Sequence, residues 1–76
     1  MPSIKPRHWK TLVCVFRRAG FEINRQKGSH IVLTKKGCIR PVIIPQYTQV
    51  GKDIILNNLR SANVSREEYF NYLEQC

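Results

Sequence analysis

Apolar residues near the start of the chain fall on one side of a helix. Trp9, Leu12, Val13, Phe16 and Ala19 recur at three- and four-residue spacing, Pro6 suits a first turn and Gly20 a stop. A helix is therefore predicted over residues 7–19, with Lys10, Arg17 and Arg18 on its solvated side. The pattern then shortens to alternation over residues 21–26, meets a turn at Lys27-Gly28, and resumes in the β-branched run 30–34, which reads as a hairpin. Lys35-Lys36-Gly37 turns the chain into residues 39–44, where Pro41 marks an edge strand because proline cannot donate to a ladder. Helical spacing returns with Ile55, Leu59 and Ala62, with Asp53 as the expected N-cap and an end near residues 61–63. Ser65 and Glu68 have capping-box spacing ahead of Tyr69, Phe70 and Leu73, so a short third helix follows.

The order α-β-β-β-α-α predicts an α+β fold: a three-stranded antiparallel meander with helices on one face and the other face open. Strand parity decides what stands on that open face. Ile31 and Leu33 point one way and His30, Val32 and Thr34 the other, and the more apolar pair belongs against the helices. His30 is expected in the open. A chain of 76 residues has room for one core, so residues 1–76 read as a single domain.

Charge changes the picture. Thirteen Lys and Arg against five Asp and Glu leave a formal charge of +8, and residues 1–40 carry ten of the bases and one acid. Polyanions are the expected partners, held by the first half of the chain. Cys14, Cys38 and Cys76 are odd in number and widely spaced, which suits neither a disulfide framework nor a zinc site, and they read as reduced thiols in a cytoplasmic protein. The apolar run at residues 12–16 is cut short by Arg17 and Arg18, so neither a signal-peptide core nor a membrane association is expected.

The segment Arg25-Gln26-Lys27-Gly28-Ser29-His30 puts cations, a turn glycine and an imidazole within six residues. Cutting RNA needs little more, since the ribose 2′-hydroxyl is an internal nucleophile and a side chain titrating near neutrality can take its proton. On this reading His30 is the catalytic base. Arg25, Lys27, the Gly28 amide and the Ser29 hydroxyl face the phosphate, and Lys35, Lys36 and Arg40 add cations for RNA. No metal, cofactor or small-molecule ligand is required. Spacing alone does not make His30 catalytic, since a histidine opening a strand is commonly a surface residue. A non-catalytic RNA-binding module would need only the charge. DNA binding has less support, because no helix carries a convincing set of base-reading side chains. His8 reads as a capping or solvated residue and Trp9 as core.

Gly28-Ser29-His30 in the predicted hairpin resembles the mark of the HicA family of toxin-antitoxin ribonucleases. The likeness continues in Ala19-Gly20-Phe21, in Val42-Ile43-Ile44-Pro45 and in the stretch from Leu59 to Ser65, and spans roughly residues 9 to 73. The resemblance implies a fold like that of double-stranded-RNA-binding domains and a type II toxin acting as an mRNA interferase. It also implies His30 as catalytic residue and a HicB-type antitoxin that masks the active face. Three positions depart from the family pattern. Tyr47 stands where many members carry a second histidine, the second helix lacks the usual Gly-Thr start, and Asn63 replaces a common glycine.

Overall fold

The helical spacing around Leu12 and Phe16 becomes α1 (Trp9–Arg18) in the computed structural model, which describes residues 3–76. It starts two residues later than the spacing predicts. Arg7 is held in an isolated antiparallel bridge instead, its N–H donating to the Val50 carbonyl (3.2 Å) and its carbonyl accepting from Val50 N–H (2.7 Å). His8 is then the N-cap, and its Nδ1 accepts from the Lys10 N–H at 3.2 Å.

The alternating segments form β1 (Glu22–Lys27), β2 (His30–Thr34) and β3 (Val42–Pro45), a fully antiparallel sheet in the order β1-β2-β3. The outer strand starts at Val42 and not at residue 39, so Pro41 lies just before it and Ile39 is fully in solvent. The chain ends with α2 (Lys52–Ala62) and α3 (Arg66–Glu74). The fold is α+β in the expected order. Gly51, not Asp53, is the N-cap of α2; it offers no side-chain bond, and Asp53 sits in the first turn, where a carboxylate faces the positive end of the helix dipole. Asn63 ends α2 in the left-handed conformation (φ 55°), a state asparagine tolerates in place of glycine. Ser65 and Glu68 close the capping box of α3 in both directions, at 3.0 and 2.9 Å.

The core lies between the helices and one face of the sheet. Leu12, Val15 and Phe16 of α1 meet Leu33, Val42 and Ile44 of the sheet, with Ile55 from α2 and Tyr69 from α3, all fully buried. Burial alternates along β2 and the start of β3 as parity demands, with Ile31, Leu33, Val42 and Ile44 inside and His30, Thr34 and Ile43 exposed, whereas all six residues of β1 are exposed. Burial pushes the Tyr69 phenol above its ordinary value, against the opposing pull of the Arg7 guanidinium.

The cysteines depart from the expectation of free thiols. Cys14 and Cys76 form a disulfide, with Cα atoms 6.0 Å apart, and Cys38 alone is free. The sequence separation of 62 residues hides this pairing. It arises because α3 packs back along α1, where the Arg18 guanidinium also donates to the Gln75 side chain (3.2 Å).

Candidate functional site

The hairpin joining β1 and β2 sets the site. Lys27 pairs directly with His30 across a two-residue turn, and Gly28 takes a positive φ of 60° there, where any side chain would be strained. The Ser29 carbonyl accepts the Gln46 N–H at 2.8 Å, and the Gln26 side chain reaches both the Gly28 carbonyl and the Gln46 side chain at 3.1 Å. These bonds tie the turn to the segment leaving β3, so the backbone carrying His30 is held from two sides.

Simple alternation along β1 would place Arg25 and Lys27 on the face of Ile23. A bulge reverses it: Ile23 pairs with Leu33, but Arg25 pairs with Val32, leaving Asn24 as the extra residue. Arg25 and Lys27 therefore share the open face with His30 and Val32. Across the other ladder Val32 stands opposite Ile43. The result is an open depression of about 330 Å³ lined by Arg25, Lys27, His30, Val32, Pro41 and Ile43. It has two cations and an imidazole on one side and an apolar floor on the other.

The remaining predicted RNA contacts lie elsewhere. Lys36 and Arg40 are exposed beyond the far end of β2, about 13 Å along the strand from His30 at ~3.3 Å per residue. Lys35 is engaged: its Nζ donates to the Ala19 carbonyl at 2.9 Å, caps the end of α1 and stands over the Phe21 ring. Sequence reasoning missed the apolar floor. It also missed Asn58, whose signal is a polar residue inside the stripe of Ile55, Leu59 and Ala62. A larger depression of about 490 Å³ on the outer side of α1 is lined by Lys10, Val13, Cys14, Arg17 and Arg18, and carries no imidazole or carboxylate for acid–base work. Among the described residues, no three His, Cys, Asp or Glu side chains gather as a metal site, and no helix is long and apolar enough to cross a membrane.

The family model for the HicA toxin of bacterial toxin-antitoxin systems matches residues 9–64. The chain belongs to the HicA toxin family. That match takes in the whole sheet, α1, α2 and the Gly28-Ser29-His30 turn, and leaves outside it α3 and Cys76, one of the two disulfide partners. Membership makes the chain a toxin-family protein and implies an antitoxin partner. No curated protein matches the chain.

Proposed function

We propose that this HicA-family chain is an endoribonuclease acting on mRNA, with His30 as general base. One observation carries the reading: the family's Gly-Ser-His turn delivers an exposed imidazole to the rim of a depression that also holds Arg25 and Lys27. His30 takes the proton of a ribose 2′-hydroxyl and later returns it to solvent. The 2′-oxygen attacks the adjacent phosphorus and expels the 5′-oxygen of the next nucleotide, which takes up a proton from water. The products are a 2′,3′-cyclic phosphate and a 5′-hydroxyl, and the step needs no metal. Arg25 and Lys27 stand where charge builds on the phosphoryl oxygens, with the Gly28 amide and the Ser29 hydroxyl as further donors. Lys36 and Arg40 extend the positive field toward a longer strand.

A HicB-type antitoxin would hold the toxin inactive by covering the same face. RNA bearing 2′-O-methyl groups tests the chemistry, since it keeps the charge and removes the nucleophile. The proposal expects no cleavage of methylated RNA and 5′-hydroxyl ends on the unmodified one. Cleavage of methylated RNA, or 5′-phosphate ends, contradicts it.

A further inference from the structure

We infer that Val32, Pro41 and Ile43 form a shelf for one unpaired nucleobase, so that this site selects single-stranded RNA over duplex. The inference rests on the nuclease reading for its purpose and on separate observations for its geometry.

The floor of the depression is apolar and open. Ile43 keeps 44% of its surface exposed, and it lines the depression together with Val32 and Pro41, so the apolar surface is a contiguous patch and not one stray side chain. It faces Val32 directly across the ladder. Its position is fixed from behind. The Asn58 side chain, only 7% exposed, donates through Nδ2 to the Ile43 carbonyl (2.8 Å) and accepts through Oδ1 from the Ile43 N–H (3.2 Å). α2 thereby occupies the outer edge of β3 and keeps the Ile43 side chain turned to the open face.

Charge and shape name the occupant. The rim is cationic, with Arg25 and Lys27 and no acid in the lining, while the floor is aliphatic. A nucleotide has that division, a phosphate joined to a flat, weakly polar ring. A volume of about 330 Å³ sits at the small end of ligand sites and suits a single nucleotide. An A-form duplex offers phosphates and groove edges, keeps its bases stacked, and has nothing to lay on such a floor. A base splayed from a single strand has a free face, and its phosphate then lies beside His30.

The test uses His30→Ala protein, so that RNA is not consumed, and compares binding of a fluorescent single-stranded oligonucleotide with an abasic oligonucleotide of equal length and charge. The shelf predicts that removing the bases weakens binding by about tenfold, and that the Val32→Thr/Ile43→Thr variant binds both oligonucleotides equally. Equal binding of the two by the unaltered shelf overturns the inference. Thermal unfolding of the double variant shows that it is folded, and the single Val32→Thr variant, which preserves shape, repeats the comparison if it is not. Cleavage by the His30 protein is scored in parallel. Base-dependent binding without cleavage leaves the shelf standing and removes the nuclease, whereas cleavage without base dependence does the reverse.

Discussion

The Asn58 amide closes on the backbone of Ile43 with both of its polar ends, so that one buried side chain supplies the hydrogen bonds a fourth strand would otherwise make. Removing it leaves a strand N–H and carbonyl unpaired at the edge of the core. Asn58→Ala is expected to cost about 2–3 kcal/mol in denaturant unfolding, the sum of two lost bonds and a small cavity. Asn58→Asp keeps the acceptor half but sets a buried carboxylate oxygen against the Ile43 carbonyl, and should cost at least as much. An unchanged midpoint would show that the clamp contributes nothing.

Lys35 and the pair Arg25 and Lys27 should separate cleanly. Lys35 is bonded to the end of α1, so Lys35→Met is expected to lower stability by about 1 kcal/mol. Arg25→Gln/Lys27→Gln should leave stability unchanged and weaken RNA binding. Each lost phosphate contact reduces the salt slope by ~0.7 for a single strand, so the double variant should lower it by about 1.4. Binding titrations at several salt concentrations check this, and an unaltered slope would place the phosphates elsewhere.

The element order and the face of His30 are legible in the sequence, because the strand period of two and the contrast of Ile31 and Leu33 with His30 and Thr34 decide which side is buried. The capping box of Ser65 and Glu68 is legible for the same local reason. Arg25 and Lys27 are legible as neighbours of His30, but the reason they share its face is not. Their shared face depends on a bulge at Asn24 that no residue pattern announces. The Cys14–Cys76 bond is invisible too, since it depends on how α3 crosses α1 in three dimensions. Asn58 lies between these cases, marked as a polar intruder in an apolar stripe, with a partner that only the packing of α2 on β3 names.

Reduction of the Cys14–Cys76 bond frees a chain loop of 62 residues in the unfolded state. The chain-entropy argument puts the loss at about 4 kcal/mol, large beside the stability of so small a domain. Cys76→Ser should match the effect of reductant on the melting temperature, while Cys38→Ser should not. Equal melting with and without reductant would contradict a stabilising bond.

The pH profile of stability follows from two groups. Hydrogen bonds from Ser65 hold the Glu68 carboxyl below its ordinary value of 4.5. The unfolded chain therefore takes up its proton first as pH falls, and stability is lost below about pH 4.5. The Tyr69 phenol is raised above 10.0 by burial, so the unfolded chain loses that proton first and stability falls as pH rises beyond about 10. Chemical unfolding across the range should show both shoulders. Ser65→Ala, expected to cost about 1 kcal/mol at neutral pH, should flatten the acid one.

The central claim is that His30 cuts RNA. Wild-type and His30→Ala proteins, incubated side by side with a mixed RNA substrate in the presence of a chelator, test it most directly on a sequencing gel. The account predicts fragments with wild type alone, and RNA binding by both proteins. Equal cleavage by the two, or intact RNA with both despite tight binding, would contradict it.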